Sequence, residues 1–125
     1  MVLLIQTGGT IDKRYPRSTL GYAFEICESA AATILDRIHA DYKLIIACKK
    51  DSTELLLTDR EKIVDIIQTQ TFASKINLEN KRIIITHGTD TMSETGIHLL
   101  KAGLGLTHTI VITGSSLSHY DIYLD

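Results

Sequence analysis

Four short apolar runs recur along the chain and are separated by longer segments of mixed polarity. Each run is rich in β-branched residues and is continuous rather than alternating, which is typical of strands buried on both faces of a parallel sheet. The pattern therefore predicts four strands joined by crossover connections. The runs are VLLIQ at 2–6, KLIIACK at 43–49, RIIITHG at 82–88 and HTIVITG at 108–114.

The segments between the runs have the periodicity of amphipathic helices. Two of them open with a capping-box pattern, TDRE at 58–61 and TMSE at 91–94, in which Thr caps the helix and Glu reaches back to it. The second of these helices is expected to end near Gly103. The predicted apolar faces are Ala31, Ile34, Leu35 and Ile38 within residues 28–40; Ile63, Ile66 and Ile67 after Thr58; and Thr95, Leu99 and Leu100 after Thr91.

This order of elements defines a fold class. Because crossovers between parallel strands are right-handed, the order predicts a doubly wound, three-layer α/β/α domain with a mainly parallel sheet, of the Rossmann-like or flavodoxin-like kind. The 125 residues, 44% of them hydrophobic, suit one domain spanning residues 1–125. A sheet that ends at TIVITG leaves an open edge, so we expect the chain to form a homo-oligomer.

One connection is longer than the others. Residues 11–25, between the first strand and the first helix, contain the only proline, Pro16, together with Gly21, Tyr15 and Tyr22. Long loops in compact domains are usually functional. We therefore expect this loop to form a lid.

Charge and composition exclude several classes of partner. The formal net charge is −2 and no long run of one sign occurs, which argues against nucleic acid and against a membrane surface and favours a small molecule or another protein. The apolar start MVLLI is too short for a signal sequence, and no stretch is long enough to span a membrane, so a cytoplasmic location is expected. Cys27 and Cys48 form no CxxC pair or zinc spacing and are interpreted as buried thiols.

Polar residues follow three of the predicted strands. They are Thr7 to Thr10, Asp51 with Ser52, and THGTDT at 86–91. Each group alone has a structural explanation as a tight turn, loop polarity or a helix cap. Because the carboxyl ends of parallel strands gather at one edge, the three groups together predict a binding site in which Gly8, Gly9 and Gly88 keep bulk away.

The residues at this edge favour hydroxyl chemistry. His87 has no second histidine or cysteine at ligand spacing, so no metal is predicted and His87 is expected to be hydrogen-bonded scaffold. TGGT is neither a P-loop nor a GxGxxG fingerprint, which disfavours a nucleotide-binding domain, and no cofactor is predicted. A threonine nucleophile remains; it requires a proton relay and backbone N–H groups that stabilise an oxyanion.

Two stretches carry a family resemblance. TGGTID at 7–12 and ITHGTDTM at 85–92 resemble the signature stretches of the L-asparaginase superfamily of bacterial types I and II. The spacing from Thr10 to Tyr22, and KKDS ahead of TDRE, resemble the short single-domain asparaginase-like proteins. The resemblance extends from about residue 2 to Gly114. It implies an asparaginase N-terminal-type domain that hydrolyses L-asparagine to L-aspartate and ammonia without a cofactor.

The resemblance also implies a role for each residue of the site. Thr10 is the implied nucleophile that forms an acyl-enzyme, and Tyr22 is the lid tyrosine beside it. Thr89 is implied to relay protons and to position water. The implied substrate-binding residues are Asp90 for the α-amino group, Ser52 for the α-carboxylate, and Gly9, Asp51, Gly88 and Thr89 around them.

Two departures from the family pattern lead to a second hypothesis. The link TELLL after Ser52 is longer than usual, which is expected to shift the carboxylate-binding loop. The family pattern is lost after about residue 114, before the later strand that supplies a catalytic lysine in the family, and Lys101 is interpreted as a solvated surface residue. The alternative is thus a catalytically impaired domain that binds a small amino acid or a partner chain.

Overall fold

The computed structural model describes residues 1–14, 25–72 and 81–117, without the side chain of Phe72. Most of the predicted lid loop, including Tyr22, lies outside these residues. The strands are β1 (Val2–Gln6), β2 (Lys13–Arg14), β3 (Glu25–Ile26), β4 (Tyr42–Ile46), β5 (Arg82–Thr86) and β6 (Thr109–Thr113), and the α-helices are α1 (Ala30–Arg37), α2 (Leu57–Phe72) and α3 (Met92–Lys101).

Within the described residues, the main sheet has four strands in the order β4-β1-β5-β6. All three pairings are parallel, so the predicted parallel α/β fold is confirmed. The strands β4 and β5 are shorter than the apolar runs that predict them, because residues 47–49 and 87–88 belong to the loops that follow. These loops contain the polar residues at the edge of the sheet.

The direction of the connections places helices on both faces of the sheet. The chain runs from β1 to β4 on one side and then crosses to β5 on the other, so right-handed crossovers put α1 opposite α2 and α3. The main core lies between the sheet and the pair α2 and α3. Its buried residues are Leu3, Ile5, Ala47, Ile63, Ile67, Ile83, Ile85, Leu99 and Leu104.

The edge strands are less buried than the sequence predicts. The central β1 is buried on both faces, as expected. Burial on both faces is wrong for β4 and β6, in which no residue is fully buried. Exposed and half-buried side chains alternate along β6, whereas in β4 the consecutive Lys43 and Leu44 are both exposed and Ile46 is 50% exposed. Apolar composition alone does not show which strands will lie at an edge, where helix cover is incomplete.

The apolar faces predicted for the helices are confirmed in part. In α2, Ile63 and Ile67 are fully buried, as expected. In α3, Leu99 is buried but the adjacent Leu100 is 68% exposed, because consecutive helix positions are about 100° apart. Exposure of Ile34 and Ile38 likewise contradicts the predicted face of α1, in which the buried residue is Ala30.

Helix starts also differ from the predicted capping boxes. The helix α2 begins at Leu57, so Thr58 lies inside its first turn and the box formed with Glu61 is wrong. The carboxylate of Asp59 instead accepts the backbone N–H of Leu56 at 2.8 Å. The other predicted cap, Thr91, does precede α3, but its side chain makes no capping hydrogen bond.

The ends of the long loop are paired, which the sequence did not predict. Lys13 lies opposite Ile26 and Arg14 opposite Glu25 in a short antiparallel ladder between β2 and β3. The backbone N–H of Cys27 also donates to the carbonyl of Asp12 at 2.9 Å. The chain segments on either side of residues 15–24 are thereby held side by side.

No helix in the described parts of the chain is both long enough and apolar enough to cross a membrane.

Candidate functional site

Three loops meet in backbone contact at the carboxyl ends of the strands. A Cβ added to Gly9 would lie 2.6 Å from the backbone nitrogen of Gly88, and one added to Gly8 would lie 2.6 Å from the carbonyl oxygen of Lys50. A Cβ on Gly88 would lie 2.7 Å from that of Ser52. The loops after β1, β4 and β5 therefore converge as topology predicts. The glycines serve this close approach between loops, rather than the open space that the sequence suggested.

Thr10 opens a short 3-10 turn, Thr10–Asp12, that is fixed by the buried carboxylate of Asp12. One oxygen of this carboxylate accepts the backbone N–H of Ala30, at the start of α1, at 2.8 Å. The other accepts the side-chain amide of Gln6 at 3.0 Å. The turn that presents Thr10 is thus bound to a central strand and to a helix, while Thr10 itself is half-buried.

Ser52 joins the loop after β4 to the loop after β5. It is buried, and its Oγ accepts the backbone N–H of Asp90 at 3.1 Å. Asp90 and its neighbour Thr89 have exposed side chains. The hydroxyl hydrogen of Ser52 is available to donate, because the bond to Asp90 uses the oxygen as acceptor.

Asp51 lies in the same loop and forms an ion pair. Its carboxylate oxygen is 2.7 Å from Nζ of Lys13, on β2. Lys50, one residue earlier, pairs at 2.9 Å with Asp59, and this hydrogen bond raises the pKa of Lys50. The carboxylates of Asp51 and Asp59 are thus each paired with a lysine.

A polar network that the sequence analysis missed lies beneath these loops. Arg60, on α2, donates from Nε to Oγ1 of Thr95 at 2.9 Å and from Nη2 to Oγ1 of Thr91 at 3.1 Å. Thr91 donates its hydroxyl to the carbonyl of Ser52 at 2.9 Å. An arginine three residues into a helix carries no sequence signal for this role, because its partners are 31 and 35 residues away.

His87 completes the network as hydrogen-bonded scaffold, as expected from the sequence. Its Nδ1 is 2.6 Å from the carbonyl oxygen of Gly88, which can only accept, so Nδ1 carries the proton. Its Nε2, 2.7 Å from the hydroxyl of Thr95, therefore accepts from it. Burial lowers the pKa of His87 below its ordinary value of 6.5, and the charge of Arg60 acts in the same direction.

Other predicted side chains lie away from this edge or differ in burial. Lys101 is exposed at the far end of α3, as expected. Cys27 and Cys48 are free thiols, but they are half-buried rather than buried. Burial raises the pKa of Cys48, whose thiol donates to the carbonyl of Thr7 at 3.4 Å. In the described residues, no three His, Cys, Asp or Glu side chains are grouped so as to hold a metal.

The sequence as a whole matches the family described as Asparaginase, N-terminal, over residues 1–125. The chain therefore belongs to the asparaginase family. A search of curated proteins found no match.

Solved structures of L-asparaginases are similar to this chain. The thermostable L-asparaginase from Thermococcus kodakarensis is 26% identical with a TM-score of 0.62 over 94% of this chain and 34% of its own. L-asparaginase I from Vibrio cholerae is 20% identical with a TM-score of 0.67, covering 97% of this chain and 35% of its own. A probable cytoplasmic L-asparaginase from Campylobacter jejuni is 23% identical with a TM-score of 0.53, covering 90% and 34% respectively.

The last two likenesses, below 25% identity, establish the fold. This chain spans about a third of the length of each of these structures. The family and its N-terminal fold are thus established for the chain.

Proposed function

We propose that this chain is an asparaginase-like amidohydrolase domain, spanning residues 1–125, that hydrolyses L-asparagine or a similar small amide. The observation that carries the proposal is the contact between the loop of Thr10 and the loop of Thr89 and Asp90, made at Gly9 and Gly88, in a member of this family. The contact brings a candidate nucleophile, a hydroxyl relay and a carboxylate to adjoining loops.

The proposed reaction has two steps. The hydroxyl of Thr10 attacks the side-chain amide carbon, and its proton passes through Thr89 to the departing nitrogen as the C–N bond breaks and ammonia leaves. Water then adds to the resulting ester, and the ester bond breaks to give L-aspartate and restore Thr10. Splitting the hydrolysis in this way replaces one difficult step by two easier ones.

The charged ends of the substrate have proposed partners on the other loops. The exposed carboxylate of Asp90 is suited to an α-ammonium group. Ser52 retains an O–H that can donate to the α-carboxylate, because its oxygen already accepts from Asp90. Gly9, Gly88 and Asp51 would surround the ligand, with Lys13 offsetting the charge of Asp51. Tyr22 stays a predicted lid residue outside the described part of the chain.

A second candidate function is that of a domain that binds a small amino acid, or a partner chain, without efficient turnover. One observation favours it: two lysines near these loops, Lys13 and Lys50, are each paired with a carboxylate. Neither is therefore placed as a free base for Thr89. A missing relay group commonly costs about 10²- to 10⁴-fold in rate.

Binding of L-aspartate tests the part that both candidates share. We expect L-aspartate, the product, to raise the melting temperature of the wild type and to fail to do so for Asp90→Ala. Asp65→Ala, which removes an exposed carboxylate from α2, should respond as the wild type does. Stabilisation by ATP with no effect of aspartate would contradict the proposal and indicate a nucleotide site. A homo-oligomeric state and a cytoplasmic location stay predictions.

A further inference from the structure

The hydrogen-bond network beneath the loops starts at one side chain, that of Arg60. An arginine side chain only donates hydrogen bonds, so the oxygens of Thr91 and Thr95 must accept from Arg60. Their own hydroxyl protons then point onward, to the carbonyl of Ser52 from Thr91 and to Nε2 of His87 from Thr95. Two chains of hydrogen bonds with fixed direction start from the same guanidinium.

The two chains end on two different loops. The first ends at Ser52, in the loop after β4. The second passes through His87 and ends at the carbonyl of Gly88, in the loop after β5. Both end points, Ser52 and Gly88, are residues that bind the substrate in the proposed function.

Arginine is chemically suited to this arrangement. Thr91 and Thr95 are one helical turn apart, and the planar guanidinium presents two N–H groups in a rigid fork that reaches both. A lysine ammonium is a single nitrogen on a flexible chain and would hold the pair less firmly. The buried Thr95 and His87 leave the second chain little freedom to find other partners.

We propose that Arg60 is a positioning residue that fixes the loops after β4 and β5 relative to each other, by orienting Thr91 and Thr95 from α2. Its consequence for substrate rests on the proposed function, whereas its effect on the loops does not. Arg60 sets the distance between the group that holds the α-carboxylate and the group that holds the α-ammonium. Loss of Arg60 therefore weakens amino-acid binding without removing a ligand contact.

Hydrogen exchange of the free protein tests the positioning role directly. Arg60→Met is compared with the wild type, with Arg60→Lys, and with Arg82→Met, which removes an exposed arginine at the opposite end of β5. We expect amides of residues 50–56 and 87–92 to exchange about tenfold faster in Arg60→Met. Arg60→Lys should lie between it and the wild type, and Arg82→Met should match the wild type. An unchanged rate in both segments, or an equal increase in β1, would overturn the proposal.

A binding measurement separates this inference from the proposed function. If the wild type binds L-aspartate, Arg60→Met should raise its Kd about tenfold, and any asparagine hydrolysis should show a raised KM with a smaller effect on kcat. An unchanged Kd with the exchange result above would overturn the link to the substrate. A wild type that neither binds aspartate nor releases ammonia would refute the proposed function, and the exchange comparison would still decide the role of Arg60.

Discussion

Individual backbone positions determine whether the loops at this edge can meet. Gly9 has a φ of 92° and Gly103 has a φ of 79°, so both occupy the left-handed region that side chains disfavour. Gly9 also lies against the backbone of Gly88, whereas nothing lies within 4 Å of a Cβ added to Gly103. Gly9 and Gly103 also differ in ψ, which is 176° and 6° respectively, so Gly9→Ala combines greater backbone strain with the overlap at Gly88, whereas Gly103→Ala has left-handed strain alone.

Gly9→Ala is expected to destabilise the protein by about 2–5 kcal/mol, as the sum of left-handed strain and steric overlap. Gly103→Ala should cost about 1–2 kcal/mol, from strain alone. Urea unfolding of both variants measures the difference. Equal losses would show that the contact between the loops after β1 and β5 does not require the absence of a Cβ at Gly9.

The buried His87 makes stability depend on pH. Because burial lowers its pKa in the folded state below 6.5, the unfolded chain takes up a proton first as the pH falls. We expect the free energy of unfolding to be fully retained above about pH 6.5 and to decrease as the pH falls from there through the lower, folded-state pKa. Burial lowers the pKa of His108 as well, which adds to the same slope.

Denaturation at several pH values checks this expectation. His87→Gln should reduce the slope between pH 6.5 and the folded-state pKa, although the variant is less stable overall. His39→Asn removes an exposed imidazole at a left-handed position that asparagine tolerates, and serves as the control. A slope that His87→Gln leaves unchanged would show that His87 is not the group that titrates.

At the level of secondary-structure elements, the sequence predicts where the strands lie but not which of their side chains are buried. The apolar runs identify the four strands of the main sheet that lie in the described residues, because an unbroken run of β-branched residues suits a pleated, buried strand. Exposure of Ile46 and Leu100 depends on which neighbours cover each face. The pairing of β2 with β3 involves two residues per strand, too few to leave a periodic pattern.

The helix α3 contains a glycine that its position does not require. Gly96 lies mid-helix, and an added Cβ would meet Cδ1 of Ile112 at 3.8 Å, an ordinary van der Waals distance. Gly96→Ala is therefore expected to stabilise the protein by about 0.5–1 kcal/mol, as measured by urea unfolding. A loss of stability would mean that α3 packs on β6 more tightly than this distance indicates.

At the scale of the whole molecule, β6 lies at one edge of the described sheet. Edge strands with apolar side chains are templates for association, which is the basis for the expected homo-oligomer. Val111, on β6, is 52% exposed, and Ile97, on α3, is 51% exposed. Val111 and Ile97 are therefore almost equally exposed, but only Val111 lies on the edge strand.

Val111→Lys is therefore expected to shift the chain towards the monomer, as measured by light scattering after gel filtration. Ile97→Lys, of matched exposure, should leave the molar mass unchanged. A wild type that is monomeric at high concentration, or a dimer that Val111→Lys leaves intact, would contradict association through β6.

The sequence predicts which loops converge at the candidate site, but not the side chains that hold those loops in place. Thr10, Ser52 and Asp90 follow strand ends, and topology alone brings such residues together. Asp12 and Arg60 are different, because their partners are distant in sequence and no local pattern marks them. The sequence predicts that the hydroxyl of Thr91 caps its own helix, because local bonding is the usual case, whereas here it donates to the carbonyl of Ser52.

The most direct test of the central proposal is ammonia release from L-asparagine, measured at high enzyme concentration for wild type, Thr10→Ala and Thr109→Ala. Thr109 is an exposed threonine at the amino end of β6 and serves as the matched control. We expect turnover by the wild type and by Thr109→Ala, and a loss on the order of 10³-fold or more in Thr10→Ala, which still binds L-aspartate. Equal turnover by the wild type and Thr10→Ala would contradict a nucleophilic role for Thr10.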